Sequence, residues 1–109
     1  MNIEEVRESF LRMPEANECT PFGDDVLVFK NNAGKMYGLI FLGDSAIASM
    51  KCDPDRAIEL REKYPDIVIP AYHMNKKHWN TILYEHFSSS MFDELVQHSF
   101  DLVTKKKKK

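Results

Sequence analysis

The chain has 109 residues, 43% hydrophobic and 29% charged, which suits one soluble domain built on one core. Fifteen Lys and Arg against 17 Asp and Glu give a net charge of −2, and without the five lysines that end the sequence the balance is 10 against 17, or −7; a protein that binds nucleic acid with its whole surface is thereby excluded. Two cysteines outside any CxxC pattern, an acidic start and no apolar run longer than Leu39–Leu42 argue against a disulfide framework, a signal peptide and a membrane span, so a reduced, cytoplasmic setting is expected.

Ile3, Val6, Phe10 and Met13 recur at helical spacing behind Asn2 and Glu5, which have the form of a capping box, and Pro14 closes the segment; a helix over 3–13 is predicted. Cys19–Phe22 reads as a short strand ended by the turn Gly23-Asp24-Asp25. Val26–Lys30 and Lys35–Leu42 are rich in β-branched, aromatic and aliphatic residues and flank Asn31-Asn32-Ala33-Gly34, the pattern of a hairpin whose turn needs left-handed backbone angles. Ser45–Lys51 is the next strand. Asp53-Pro54 then opens a helix with a capping acid and a proline at its first position, and Tyr64-Pro65 closes it. Ile67–Ile69 is short and extended, 71–77 a loop, His78–Tyr84 a strand, and Met91–Val103 the last helix. The order α-β(3–4)-α-β(1–2)-α with short connections predicts an α+β fold, a two-layer sandwich whose mostly antiparallel sheet carries its helices on one face. Residues 1–104 form one domain, and the polybasic end is expected to be a disordered tail.

No catalytic residues, cofactor or metal site are expected. His73, His78, His86 and His98 lack metal-ligand spacing, Cys19 and Cys52 have no histidine close in sequence, and neither a Gly-x-Ser-x-Gly nor a Gly-rich phosphate loop is present. The acids are unevenly spread. None falls between Asp25 and Asp44, a window that holds Lys30 and Lys35, and none between Asp66 and Glu85, which holds Asn75-Lys76-Lys77-His78-Trp79. In a two-layer sandwich this separates acidic helices from weakly basic loops at the sheet. Cations, amide donors and an indole are the groups that meet phosphates and stack on bases; the same residues also fit a solvated turn beside a half-buried Trp79. Lys105, Lys106, Lys107, Lys108 and Lys109 fit either phosphate neutralisation or a solubilising end.

Several of these segments together carry a family resemblance. Thr20-Pro21-Phe22-Gly23-Asp24, Val28-Phe29-Lys30 with Gly34-Lys35-Met36-Tyr37, Lys51-Cys52-Asp53-Pro54, the long run Tyr72–Thr81 and His98–Val103 resemble the MmcQ/YjbR family. The resemblance spans the chain up to the lysine run, with Phe100 where tyrosine is usual, and Tyr72–Thr81 is its most distinctive part. It implies a small α+β fold similar to frataxin-like (CyaY-like) and secretion-chaperone-like domains, and a non-enzymatic DNA-binding role through a double-wing arrangement of sheet and loops. On that basis Asn75, Lys76, Lys77, His78 and Trp79 form one expected contact region, Lys30 and Lys35 a hairpin wing, and the five terminal lysines an accessory. Phosphate contacts should dominate, with little sequence preference, because the best-formed helices have acidic outer faces. The alternative is a chaperone-like protein-interaction module that uses an exposed sheet face or edge, with six methionines as adaptable apolar contacts.

Overall fold

A computed structural model describes residues 1–43, 46–71 and 74–104; Ser45, His73 and Lys105–Lys109 lie outside the described residues. Helix α1 covers Ile3–Leu11, and its capping box closes as expected: Asn2 Oδ1 accepts from the Glu5 N–H at 2.8 Å while Glu5 Oε1 accepts from the Asn2 N–H at 3.0 Å. It ends two residues before the expected Met13, in a turn where Glu15 takes a positive φ of 54°. Met13 still packs on the core from that turn, so helical spacing overran the helix. Strands β1 (Asn17–Cys19), β2 (Val26–Lys30), β3 (Met36–Phe41) and β4 (Ile47–Lys51) form a meander. β1 lies earlier than the expected Cys19–Phe22, because it is the stretch that pairs with Val28–Lys30.

Helix α2 (Pro54–Lys63) starts on Asp53, whose carboxylate accepts from the Arg56 N–H at 3.2 Å. After β5 (Val68–Pro70) and β6 (Trp79–Leu83), helix α3 (Ser89–Thr104) completes the chain's described part. Pro70 fits in β5 because that strand is a sheet edge. The six strands are ordered β1-β2-β3-β4-β6-β5, every neighbouring pair antiparallel. This is the expected α+β sandwich.

One face of the sheet is sealed by the helices. Phe10 of α1 stacks on Phe29 at 4.8 Å and meets Phe92 of α3 edge-on at 5.7 Å. Gly38 makes this approach possible, since a Cβ there would stand 2.1 Å from Phe10 Cε1. Beside it, β3 carries one residue more than β2 between the pairs Phe29–Gly38 and Lys30–Met36, a bulge at Tyr37. The bulge turns Tyr37 toward the helices, where its hydroxyl donates to Phe10 O at 2.8 Å and its ring meets Phe100 at 5.1 Å. Ser99 of α3 serves the carbonyl that the bulge exposes, donating to Tyr37 O at 2.6 Å and accepting from the Lys51 N–H at 2.9 Å.

Among the described residues the other face carries no helix but has a small core of its own, where Val28, Leu39, Ala71 and Trp79 are buried with Met36, Phe41 and Met74 partly so. At its centre Ser49 and Thr81, opposite each other on β4 and β6, share a buried hydrogen bond of 2.8 Å. Among the described residues no helix is long and apolar enough to cross a membrane.

Candidate nucleic-acid interface

Strand direction decides what meets what. β2 ends, β3 begins, β4 ends and β6 begins on the same end of the sheet, as the pairs Lys30–Met36, Gly38–Met50 and Lys51–Trp79 require. The β2–β3 turn and the segment before β6 are therefore neighbours in space, although about forty residues separate them in sequence. The two regions singled out by sequence thus share one rim, about 15 Å apart across three strand spacings.

Each region is built by an asparagine. In the hairpin, Asn31 is 2% exposed. Its Oδ1 accepts from the N–H groups of Ala33 and Lys35, both at 2.9 Å, and its Nδ2 donates to Val103 O at 3.1 Å. One side chain thus shapes the turn and caps the last turn of α3, which fixes the hairpin against the end of the described chain. Gly34 takes a φ of 82° there. Lys35 is exposed and Lys30 half-buried. A carboxylate reaches this tip too, since Glu15 accepts from Asn32 Nδ2 at 2.5 Å.

In the second region Asn75 Oδ1 accepts from the Lys77 N–H at 3.0 Å, and Asn75 O accepts from the His78 N–H at 3.0 Å. This is an Asx-stabilised turn that leaves Asn75, Lys76 and Lys77 exposed. Two anchors hold it. The Cys52 N–H donates to His78 O at 2.7 Å, and the Arg61 guanidinium of α2 donates to Lys76 O and, at 2.8 Å, to Asn80 Oδ1. Asn80 is 1% exposed and passes the link on to Ala57 O at 3.4 Å.

Trp79 is only 7% exposed, its place being in the helix-free face's core. Its ring is not offered to a base, which corrects the stacking role; bracing the turn is the role its burial fits. Asn75 acts first as the maker of the turn. Sequence reasoning missed Asn31 as the tie to α3, Arg61 as the anchor and Lys51 as a further cation on the rim. Arg61 and Asn31 act over long range, where local sequence carries no signal. Lys51 was legible from the period-2 pattern of its strand, which puts it on the face of Ser49.

Charge is segregated by layer. The helices carry nine carboxylates, at positions 4, 5, 8, 55, 59, 62, 93, 94 and 101, whereas the strands carry one, Glu18. Among the described residues the ion pairs are made by arginines: Arg7–Glu18, Arg12–Asp93 and Arg56–Glu94. The rim lysines Lys30, Lys35, Lys51, Lys76 and Lys77 take no part in them.

Other reactive groups are muted. Burial pushes the Cys52 thiol up to about 11, so it stays protonated at neutral pH and is a poor nucleophile. His98 Nε2 accepts from the Asp53 N–H at 3.1 Å; burial first, and the nearby Arg56 second, hold its pKa below the usual histidine value. Among the described residues no three His, Cys, Asp or Glu side chains come together as a metal site.

Residues 11–102 match the YjbR family. The chain is 34% identical over 99 residues to the Escherichia coli O157:H7 protein named "Uncharacterized protein YbdF", covering 85% of this chain and 76% of that one. Among solved structures, Deinococcus radiodurans protein DR2400, described by its DUF419 domain, superposes with a TM-score of 0.87 at 37% identity, over 96% of this chain and 80% of the other. A structural-genomics target from Pseudomonas syringae gives a TM-score of 0.77 at 25% identity, over 94% of this chain and 98% of the other.

Proposed function

We propose a non-enzymatic, duplex-DNA-binding role for this protein, which belongs to the YjbR family, with contacts mainly to the phosphate backbone. The observation that carries the reading is the common rim: strand order brings the Lys30–Lys35 hairpin and the Asn75–His78 turn to one end of the sheet. Both turns are fixed by buried or half-buried side chains, Asn31 and Arg61, so binding orders their lysine side chains but not the backbone that carries them. A body of net charge −7 binds a polyanion only through a local cationic surface. With nine of the 17 acids on the helices and Arg7, Arg12 and Arg56 held in ion pairs, the rim lysines are left to supply that surface.

Sequence preference is weak in this account. The outer faces of the helices are acidic, and none resembles a recognition helix that enters a groove. The test is fluorescence anisotropy of a labelled duplex titrated with the full chain and with Lys76→Ala/Lys77→Ala. Two lost phosphate contacts should weaken binding several-fold and lower the slope of log K against log salt by roughly 2. Unchanged affinity and slope in the double variant would remove this turn from the interface. The apolar helix-free face is the surface that protein docking would use, but Val28, Leu39 and Trp79 are each below 10% exposed, and that reading is not favoured.

A further inference from the structure

We infer that the duplex lies across the rim end of the helix-free face, whose centre is buried, with Lys51 as a central phosphate contact between the two turns; this rests on the DNA-binding reading above. Register supplies the geometry. Across the rim end of that face the residues run Lys30 on β2, Met36 on β3, Lys51 on β4 and Trp79 on β6, as the pairs Lys30–Met36 and Lys51–Trp79 fix. The neighbours of these lysines along their strands, Phe29 and Met50, belong to the helix-side core. Alternation therefore turns Lys30 and Lys51 to the opposite side, where Met36 and Trp79 form an apolar floor. Their aliphatic stems can lie along that floor while the ammonium groups stay in water.

The charge of the face points to a polyanion. The strands contain three charged residues, Glu18, Lys30 and Lys51. Glu18 stands opposite the helix-side Phe29 and is bound by Arg7 of α1, so it belongs to the helix layer. Every charged strand residue on the helix-free face is therefore a lysine. Lys30 and Lys51 are two strand spacings apart, about 10 Å, comparable with the roughly 12 Å width of a major groove. Such a pair can address phosphates on both groove walls while Lys35 and Lys76–Lys77 reach further along the backbone. The backbone of Lys51 is held by Ser99, so the root of this side chain is fixed before any partner arrives.

The experiment compares the full chain with Lys51→Ala and with Lys63→Ala, a lysine on α2 in the helix layer, using the same labelled duplex over a salt series. Lys51→Ala should weaken binding several-fold and reduce the salt slope by about 1, and Lys63→Ala should leave both unchanged. Should Lys51→Ala fail to fold, Lys51→Gln and Lys51→Arg replace it: the first must weaken binding and the second must not. If Lys51→Ala binds like the unaltered chain while Lys76→Ala/Lys77→Ala does not, this surface is wrong and the DNA reading stands. If the unaltered chain fails to bind the duplex even at low salt, the DNA reading itself falls. A labelled polyglutamate peptide bound as tightly as the duplex would overturn nucleic acid as the partner of this face.

Discussion

The two faces of the sheet are made from alternate residues of the same strands, yet they solve different problems. On the helix side Phe10, Phe29, Tyr37, Phe92 and Phe100 interlock, and the Tyr37 carbonyl at the bulge finds a donor in Ser99 of α3. On the helix-free side the core shrinks to a few residues around Trp79, the polar pair Ser49–Thr81 lies at the centre, and lysines line the end. The first face buries the larger core. The second is kept just sealed enough to hold its turns in place while its cations remain outside the protein's own ion pairs. Damage on the helix side should therefore cost folding, and damage on the rim should cost binding.

The largest effect should follow Gly38→Ala. The new methyl would meet a Phe10 ring that is itself wedged against Phe29 and Phe92, and relieving such overpacking should cost about 2–3 kcal/mol in urea unfolding. A variant as stable as the parent would mean the aromatic layer is looser than described. Next comes Arg61→Ala, which sharpens the division because Arg61 touches the rim turn from the helix side. Losing its hydrogen bonds to Lys76 O and Asn80 Oδ1 should free the turn, so that trypsin cuts faster after Lys76 and Lys77 and duplex affinity drops several-fold, with Arg61→Lys intermediate. Equal cleavage rates would show that the Asx turn holds by itself.

The smallest effect is one of pH. His98 is held below its ordinary pKa, by burial first and by Arg56 second, with Asp53 and Asp101 opposing. The unfolded chain therefore binds this proton more readily than the folded one, and stability falls as pH drops below the ordinary histidine value of about 6.5 toward the folded one. His98→Gln, which keeps an acceptor for the Asp53 N–H, should flatten that part of a melting-temperature profile. An unchanged profile would assign the acid sensitivity to other groups.

Much of this architecture is legible in the sequence where local chemistry is decisive. Asn31–Gly34 announces the hairpin, Asp53-Pro54 the start of α2, and Asn2 with Glu5 the capping box. The limits of α1 and β1 differ from those the pattern predicts because Met13 keeps helical spacing beyond the helix, and because β1 is chosen by its pairing partner rather than by its own residues. The candidate interface is legible only in pieces. Spacing singled out Lys30, Lys35 and Asn75–His78, but their meeting on one rim depends on strand order. The burial of Trp79 depends on a second small core, and the reach of Arg61 crosses from α2 to a distant turn. None of these leaves a mark within a short window of sequence.

The most direct test of the central claim, that the folded body and not the lysine run makes the contact, compares duplex binding by the full chain and by a chain ending at Thr104. Both are titrated at ~50 and ~200 mM salt, a range over which a phosphate-driven complex must weaken steeply. The account predicts that both bind and both weaken with salt, the shorter chain with the smaller slope. Binding by the full chain alone would contradict it and reduce the lysine run to a nonspecific tether.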